Sequence, residues 1–582
     1  MTSYCVGTYL ATRLAQLGIR HLFSVPGDYT SDFLEIIDNQ STIQRIGNCN
    51  ELNAGYAADG YARANGLGAV AVTTGVGSFS VLNAISGAYV EMVPVVAIIG
   101  TLSNIKRLNA LNAGELFHHN LDSGDENRQV FQGVSVAYEQ ISNPLEAPYQ
   151  IDHALTQCIS KKRPVVIEIM EDCYYLPCPE PQHTLVSVPL FTRFSELEAI
   201  SATNNYAKAI TGNVKNAAQE IYNLLTKNAQ KPLFWIGHEI ARYGLQDLLV
   251  QLLEKTGIPF VASLLGKAVL AENTPGFLGM YDGLFSQIDS KKFDCIVALG
   301  IWNTDLNVFG EKFSTPLGVG NPANVLATRN IVKVGTTLYA QVSLESLLTE
   351  LISLFDKKPP RPNSHRETPK VSYPYPNSPE SITYDSFFGS LNDYLTPDNL
   401  VVADIGLSTF GGSSFLTINR QNGFLAQAIW ASIGWSVPAG LGASFTPGTR
   451  PIVIVGDGAF KLTCQELSTM VSCGCNTVIF VLNNGVYAVE QMLLDPEPFV
   501  KGSQAGFEAA NVLQPWDYVS LMNGFSNNAP GARSANVNTV HDLQETLDQI
   551  SEHSGAVWLV SINLSRHDFP ESWRPFVHAA KS

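Results

Sequence analysis

Short apolar runs recur along the chain, most of them ending in a glycine, an aspartate or an asparagine. A run of roughly four to eight apolar residues bounded by turn-forming residues is typical of a strand that is buried on both faces of a parallel sheet. We therefore predict buried strands at Val95–Gly100, Pro164–Ile169, Pro232–Gly237, Cys295–Gly300, Leu400–Asp404, Pro451–Gly456 and Val478–Asn483.

Helical periodicity lies between these runs. In the first predicted helix Val6, Leu10, Leu14 and Leu17 share one face, and Gly18 follows as a stop signal. Strands that alternate with helices predict an α/β fold whose ligand sites lie at the carboxyl ends of the strands. We expect three doubly wound parallel-sheet domains.

Two proline-rich segments divide the chain, at Tyr175–Pro189 and at Lys357–Glu380. Proline at this density continues neither a helix nor a central strand, so both segments are predicted to be extended connectors. The expected units are a first domain over 1–182, a central domain over 190–356, a linker over 357–380, and a third domain with a C-terminal tail over 381–582.

Composition narrows the class of protein. Hydrophobic residues make up 45% of the 582 residues and charged residues 15%, which favours large buried cores over disorder. The formal net charge of −16 argues against binding to nucleic acid or to an anionic membrane. The longest apolar runs, such as Val93–Ile99, are far shorter than the roughly 20 residues of a membrane span.

The cysteines and the amino terminus predict a cytoplasmic protein. The chain has nine cysteines, an odd number, which is typical of reduced thiols. The close pairs Cys173/Cys178 and Cys473/Cys475 lack the partner pair or the spaced histidine of a zinc site. Met1 begins no basic segment followed by an apolar core, so we expect no signal peptide.

The segment 451–490 predicts a metal and phosphate site. One strand ends in Gly456-Asp457-Gly458, and the next strand ends in Asn483-Asn484. In a βαβ unit both ends meet at one edge of a parallel sheet. A carboxylate, an amide oxygen and the backbone carbonyl near Val486 are suitable ligands for a Mg²⁺ ion that also binds a diphosphate. A lone Gly-Asp-Gly is usually a turn, but both motifs at this spacing are typical of thiamine diphosphate enzymes.

Four features make the chain similar to the pyruvate decarboxylase group of thiamine diphosphate-dependent 2-keto acid decarboxylases, which includes indolepyruvate and branched-chain keto acid decarboxylases. The features are Val25–Asp28, Asn50–Arg63, the pair His118-His119, and Asn483-Asn484 followed by Glu490. The resemblance covers nearly the whole chain and is weakest in the middle. It implies decarboxylation of a 2-keto acid to an aldehyde and CO₂ through an enamine on thiamine diphosphate, with Mg²⁺ as second cofactor.

The resemblance also assigns roles to residues near the thiazolium and pyrimidine rings. Glu51 is expected to bond ring nitrogen N1′ and stabilise the imino tautomer that removes the C2 proton. Asp28, His118, His119 and Glu490 would form the proton-exchanging cluster on the substrate side. Asp28 and Glu490 in close contact would share one proton and titrate together.

Apolar residues complete the expected site. Ile433 matches the bulky residue that holds the cofactor in its bent conformation, although an isoleucine is otherwise most often plain core. Val489 stands where pyruvate-specific members commonly have isoleucine, and Ile405 and Leu407 replace polar residues. A more apolar pocket fits an aliphatic or aromatic keto acid at least as well as pyruvate, and one methylene is worth only about 1–3 kcal/mol in selectivity.

Other functions are consistent with the same fold. Acetohydroxyacid synthase-type carboligases lack the histidine pair and the glutamate after the second asparagine, and many bind FAD. A catalytically silent relative has no reason to keep Glu51, Asp457 and Asn484. A nicotinamide dehydrogenase would need an early G-x-G-x-x-G followed by an acid. Because relatives build the site from two subunits, we expect a homodimer or homotetramer.

Overall fold

The computed structural model describes residues 4–121, 125–185, 194–202, 204–281, 288–289, 292–308, 324–357 and 380–579. Nearly all of the expected linker at 357–380, and the end of the connector at Tyr175–Pro189, lie outside the described residues. The described chain folds around three separate sheets with helices on their faces, an α/β architecture as predicted.

The first sheet is parallel throughout and has the strand order β2-β1-β3-β4-β6-β5. Its strands are β1 (His21–Ser24), β2 (Gln44–Gly47), β3 (Gly68–Thr73), β4 (Val95–Thr101), β5 (Tyr138–Ile141) and β6 (Val165–Met170). Its helices are α1 (Val6–Gln16), α2 (Ser31–Gln40), α3 (Glu51–Asn65), α4 (Val76–Val90), α5 (Asn104–Ala113), α6 (Glu126–Phe131) and α7 (Ala147–Lys161).

The central sheet has the order β13-β12-β11-β10-β7-β8-β9 and ends in an antiparallel hairpin at β12 and β13. Its strands are β7 (Pro232–Ile236), β8 (Phe260–Ala262), β9 (Phe277–Met280), β10 (Cys295–Leu299), β11 (Val325–Thr328), β12 (Ile331–Val334) and β13 (Thr337–Ala340). Its helices are α8 (Phe194–Ser201), α9 (Asn205–Asn223), α10 (Glu239–Arg242), α11 (Gln246–Thr256) and α12 (Leu344–Lys357).

The third sheet is again parallel, with the order β15-β14-β16-β17-β19-β18. Its strands are β14 (Asn399–Ala403), β15 (Phe424–Ala426), β16 (Arg450–Gly456), β17 (Val478–Asn483), β18 (Ala532–Val537) and β19 (Val557–Asn563). Its helices are α13 (Tyr384–Tyr394), α14 (Leu407–Phe415), α15 (Ser436–Ala443), α16 (Asp457–Thr463), α17 (Glu466–Ser472), α18 (Ala488–Leu494), α19 (Glu497–Lys501), α20 (Tyr518–Ser526), α21 (Val540–Glu552) and α22 (Arg574–Ala579).

The apolar runs form strands within a residue or two of the predicted bounds, and every residue of β4, β6 and β10 is buried. The first helix also forms as predicted. It ends at Gln16, and Gly18 follows with a φ of +92°, a left-handed conformation that costs glycine little.

The first and third domains share one hydrophobic core where α3 crosses α15. A Cβ at Gly60 would lie 2.3 Å from the carbonyl oxygen of Ala439, and one at Gly442 would lie 2.0 Å from that of Ala57. These two glycines therefore allow the helix backbones to touch.

A buried charge network lies beside this crossing. The Arg63 guanidinium contacts Asp59 at 2.6 Å and Glu91 at 3.7 Å, and the Trp435 indole donates to Asp59 at 2.8 Å. Removing one partner of such a network leaves an uncompensated buried charge, at a cost of about 3–5 kcal/mol. The network thus fixes the third domain against the first within one chain.

Among the described residues, no helix is both long enough and apolar enough to cross a membrane.

Candidate active site

The predicted metal-binding residues meet at the carboxyl edge of the third sheet. Strand β16 ends at Gly456 and the parallel strand β17 ends at Asn483, with Gly456 opposite Leu482 in the register. Asp457 and Asn484 therefore leave neighbouring strands at the same edge. Both side chains are buried, with 2% and 5% of their surface exposed.

Asp457 is held by two backbone amides. Gly485 N–H donates to its Oδ2 at 2.9 Å, and Gly458 N–H donates to its Oδ1 at 3.1 Å. Burial nevertheless raises the pKa of Asp457 to about 6, against the opposing effect of these amides and of Lys461. A buried carboxylate with no cation in contact is a position where a bound divalent ion would stabilise the charged form.

Asn484 presents its side-chain oxygen beside the same edge. Its Oδ1 accepts a hydrogen bond from Val486 N–H at 3.1 Å, and its Nδ2 donates to the Tyr384 hydroxyl at 3.0 Å. Carboxylate, amide and backbone carbonyl oxygens are hard ligands of the kind that Mg²⁺ selects. The donor set of Asp457, Asn484 and the Val486 carbonyl thus fits a magnesium ion.

The two glycines beside Asp457 have different surroundings. The Tyr487 ring packs against Gly458, where a Cβ would lie 2.2 Å from it, whereas a Cβ at Gly456 would meet no atom within 4 Å. Gly458 therefore allows this ring to pack closely, and the backbone at Gly456 is open to a group as large as a diphosphate.

A second group of predicted residues meets at the first sheet. Asp28 follows β1, and its Oδ2 lies 2.6 Å from His118 Nε2. The His118 ring stacks on Tyr29, with ring centroids 5.1 Å apart, and lies edge-on to His119 at 4.9 Å. The carboxylate and imidazole ligand atoms of Asp28, His118 and His119 all lie within 4.8 Å of one another.

The charge state of this cluster is set by its own members. Partial burial disfavours the ionised form of Asp28, but the hydrogen bond and charge of His118, with smaller contributions from Tyr29 N–H and His119, lower the pKa of the carboxyl below its ordinary value. Asp28 and His118 remain about half exposed, at 49% and 59% of their side chains. Asp28 is therefore a carboxylate at neutral pH and orients the imidazole of His118.

Backbone geometry positions the second histidine. His119 has a φ of +64°, and a Cβ at Gly75 would lie 1.7 Å from its carbonyl oxygen. Gly75 itself has a φ of +62°. Only glycine fits at position 75 while His119 keeps this place, because any side chain would displace it.

Glu51 is the first residue of α3. Asn50 caps the helix, its side-chain oxygen accepting from Asn53 N–H at 2.8 Å. The half-buried Glu51 carboxylate points toward the first turn of α4, where a Cβ at Gly77 would lie 3.5 Å from Glu51 Oε1. The helix start thus fixes the position of a carboxylate that still has an open side.

Residues predicted to line the substrate pocket lie together in the third domain. Glu490 is exposed in the first turn of α18, and the preceding Val489 is half-buried. A Cβ at Gly406 would lie 3.9 Å from Val489 Cγ2, so the half-buried Ile405 is a neighbour of Val489 in the fold. Leu407 instead packs in the hydrophobic core, with 6% exposed, and adds no apolar surface to the site.

Ile433 projects from a tightly held loop between β15 and α15. Its side chain is 38% exposed. The following Gly434 donates its N–H to Asp404 at 3.1 Å, and the preceding Ser432 shares a 2.6 Å hydrogen bond with Tyr56 of α3. The Glu91 carboxylate accepts hydrogen bonds from three successive backbone amides of this loop. They are the amides of Ala428 at 3.0 Å, Ile429 at 2.6 Å and Trp430 at 3.1 Å.

Sequence reasoning overlooked two of these supports. Asp404 is fully buried, its pKa raised to about 6 by burial, and it accepts from the backbone amides of Gly434 and Ser436. Its position directly after β14, at the same edge as Asp457, was a usable signal. Glu91 follows a helix whose sequence gives no indication of the loop that it binds.

The structure therefore forms two half-sites from one chain. One contains Asp28, His118 and His119, and the other contains Asp457, Asn484 and Val486. Among the described residues of a single chain, no hydrogen bond or ion pair joins Glu490 to Asp28 or to either histidine. The expected contact between Asp28 and Glu490 is thus not made within one protomer.

Family models match each of the three domains. Residues 5–123 match the thiamine pyrophosphate enzyme N-terminal TPP binding domain. Residues 191–325 match the thiamine pyrophosphate enzyme central domain, and residues 404–561 match the C-terminal TPP binding domain. The two cofactor-binding matches contain the two half-sites, and thiamine pyrophosphate is thiamine diphosphate under its other name.

Similar proteins align over nearly the whole chain. The chain is 31% identical to pyruvate decarboxylase 1 of Pisum sativum, covering 93% of this chain and 87% of that protein. It is 29% identical to pyruvate decarboxylase of Aspergillus fumigatus, covering 99% and 97%. It is 30% identical to alpha-keto-acid decarboxylase of Mycolicibacterium paratuberculosis, covering 98% and 95%. The chain therefore belongs to the pyruvate decarboxylase-like family of thiamine diphosphate-dependent decarboxylases.

Proposed function

We propose that this enzyme removes CO₂ from a 2-keto acid without oxidation and releases the aldehyde. The observation that carries the proposal is the Asp28–His118–His119 cluster at the first sheet, in a chain that also has the Asp457–Asn484 edge at the third. The first supplies proton exchange and the second supplies a cofactor anchor, and the reaction needs both.

The anchor residues have defined tasks in this proposal. Asp457, Asn484 and the Val486 carbonyl would hold Mg²⁺ against the diphosphate, which would lie beside the open backbone of Gly456. The chemistry that thiamine diphosphate supplies when bound is an electron sink for the carbanion left by departing CO₂. Ile433 supports the bend between its two rings, a proximity effect.

Glu51 and the histidine cluster manage the protons. The Glu51 carboxylate would share a proton with the pyrimidine nitrogen N1′. The ionised Asp28 accepts a hydrogen bond from Nε2–H of His118, 2.6 Å away, and so orients an imidazole that can take part in proton transfer. We assign proton delivery to the nascent aldehyde to this cluster together with Glu490, brought in by a second copy.

Two copies complete the site in this proposal, as a homodimer or a homotetramer. In the part of the chain that contains the histidine pair, large apolar side chains are exposed on a single chain: Ile105, Leu108, Leu111, Leu116 and Leu121 are each more than half exposed. With Val489 and Ile405 in the pocket, a branched or aromatic keto acid fits at least as well as pyruvate. A carboligase of the acetohydroxyacid synthase type remains the competing function, since the half-site of Asp457, Asn484 and Val486 serves both; the histidine pair, which those carboligases lack, favours the decarboxylase.

One assay separates these functions. Purified protein with thiamine diphosphate and Mg²⁺ is given pyruvate, branched-chain, phenylpyruvic and indolepyruvic acids, and CO₂, aldehyde and acyloin are quantified. Equal amounts of CO₂ and aldehyde support the decarboxylase. Acyloin as main product identifies a carboligase, and no product from any acid, with wild-type protein that has bound its cofactor, rejects both.

A further inference from the structure

A short segment, which we call the Thr74–Ser78 turn, lies beside both groups that are expected to handle protons. It consists of the two residues after β3 and the first three residues of α4. Its Gly75 lies against the carbonyl of His119, and its Gly77 lies against the carboxylate of Glu51, where added Cβ atoms would be 1.7 and 3.5 Å away. Movement of this turn would consequently displace both groups.

Asn127 of α6 holds this turn at both ends. Its Nδ2 donates to Thr74 Oγ1 at 2.8 Å, and its Oδ1 accepts from Ser78 Oγ at 2.6 Å. Asn127 is 2% exposed. In a buried setting hydrogen bonds of this length are strong and their loss leaves polar atoms unpaired, so the amide acts as a clamp across the turn.

Glu168 fixes which way the Asn127 amide faces. Its Oε1 accepts from Asn127 Nδ2 at 2.8 Å, while Oε2 accepts from the Tyr138 hydroxyl at 2.8 Å and from Gln140 Nε2 at 2.6 Å. Glu168 is fully buried in β6. A carboxylate only accepts, so the NH₂ group of Asn127 must point toward it and the oxygen toward Ser78.

We propose that Asn127, oriented by Glu168, is a positioning residue that sets the places of Glu51 and His119 through the Thr74–Ser78 turn. The proposal deepens the proposed function, since it takes the proton-handling roles of Glu51 and His119 from it. Asn127 makes these side-chain hydrogen bonds to Thr74, Ser78 and Glu168, so it would act through the turn.

The test exchanges the two functional groups of the pair. Asn127→Asp places a second carboxylate 2.8 Å from that of Glu168 and removes both donors of the amide. The double variant Asn127→Asp with Glu168→Gln restores one amide and one carboxylate with reversed positions. In it the new glutamine oxygen still accepts from Tyr138 and Gln140, and its NH₂ group donates to the new aspartate.

Two readouts report on the turn. In cofactor-free protein, hydrogen–deuterium exchange of peptides covering 73–79 and 115–120 should rise in Asn127→Asp and return in the double variant. In cofactor-loaded protein, the exchange of hydrogen for deuterium at the cofactor's C2 is measured by NMR after acid quenching. This exchange should be slower by about tenfold to a hundredfold in Asn127→Asp and should return to the wild-type rate in the double variant. Ser78→Ala, which removes one bond of the clamp, should show both changes to a smaller degree and covers the case in which Asn127→Asp does not fold.

Asp152→Asn is the control. It breaks the bidentate pair with Arg13, 2.6 and 2.8 Å, in the same domain and should lower stability without changing either readout. Folded Asn127→Asp and Ser78→Ala with wild-type exchange at both the peptides and C2 would overturn the proposal. Wild-type protein that neither binds the cofactor nor exchanges C2 would instead reject the proposed function, while the peptide readout would still test the clamp.

Discussion

Gly75→Ala offers a sharp test of the histidine cluster, because the added methyl group meets one identified atom. Its Cβ would lie 1.7 Å from the His119 carbonyl oxygen. Restoring a tolerable C–H···O separation of about 3.3 Å requires a shift of about 1.5 Å. The neighbouring Thr74 is hydrogen bonded to Gly100 and Asn127, so most of the shift falls on His119.

The expected effect is large on turnover and moderate on stability. A displacement of about 1 Å of a reacting group costs on the order of a hundredfold in rate. The backbone conformation of Gly75, with a φ of 62° and a ψ of −97°, adds about 1–3 kcal/mol of strain for alanine, and overpacking adds about 1–3 kcal/mol. We thus expect a kcat lower by about a hundredfold, with cofactor binding unchanged.

The measurement compares kcat, cofactor affinity and thermal unfolding with those of Gly257→Ala. Gly257, after α11 in the central domain, has a φ of +59°, and a Cβ there would meet nothing within 4 Å. This control also places alanine at a positive φ, in the αL region with a ψ of 14° where Gly75 has a ψ of −97°, but without the clash, and it should keep wild-type kcat. Folded Gly75→Ala with a kcat within about twofold of wild type, well short of the loss expected from misplacement, would refute a role for the position of His119.

Further substitutions test the remaining assignments. Glu51→Gln should keep cofactor binding and lower kcat by about 10²–10⁴-fold; a wild-type rate would remove its role. Asp457→Ala should abolish Mg²⁺-dependent retention of thiamine diphosphate in equilibrium dialysis, and unchanged affinity would contradict the metal site. Val489→Ile should raise kcat/KM for pyruvate relative to a bulky keto acid by about 10–200-fold, whereas an unaltered ratio would place Val489 outside the pocket. Burial raises the pKa of Glu239 from 4.5 to about 7, so folding favours its protonated form. The resulting stability of about 3 kcal/mol is present below pH 4.5 and is lost as the pH rises to about 7; Glu239→Gln should remove this part of the pH dependence of unfolding, and an unchanged profile would show that Glu239 does not cause it.

The fold was predictable because its strands are buried on both faces. Such strands need continuous apolar runs, and Val95–Thr101 and Val478–Asn483 show them directly. The hairpin of β12 and β13 in the central domain was not predicted. Its strands have four residues each, and the turn between them depends on Gly335 with a φ of +54°. Strands this short and a single turn glycine are weaker sequence evidence than the longer apolar runs of the other strands.

The candidate site was predictable where residues with suitable side chains directly follow the ends of predicted strands. Asp457 and Asn484 follow strand ends, and parallel strands bring those ends together whatever the surrounding residues are. The buried pair that holds the Thr74–Ser78 turn was not predictable. Glu168 is separated from Asn127 by 41 positions in the chain and alternates with apolar residues in β6, so only the packed structure shows the pair. Leu407 was interpreted from the sequence as making the pocket more apolar, but its side chain packs in the hydrophobic core.

The exposure of the Asp28–His118 pair explains why one chain does not suffice in the proposed mechanism. With 49% and 59% of these side chains open, water screens the pair and competes for its protons, and exposed pairs of this kind are worth only about 0–1 kcal/mol. Proton transfer to a carbanion in preference to solvent needs a dry site, where the same charges interact more strongly. The exposed leucines and Ile105 in the part of the chain that contains the histidine pair provide apolar surface that a second copy would cover. In the proposed mechanism, assembly of two copies therefore has two effects. It brings Glu490 to the substrate, and it removes the water that would otherwise weaken the interactions that set the pKa values of the cluster.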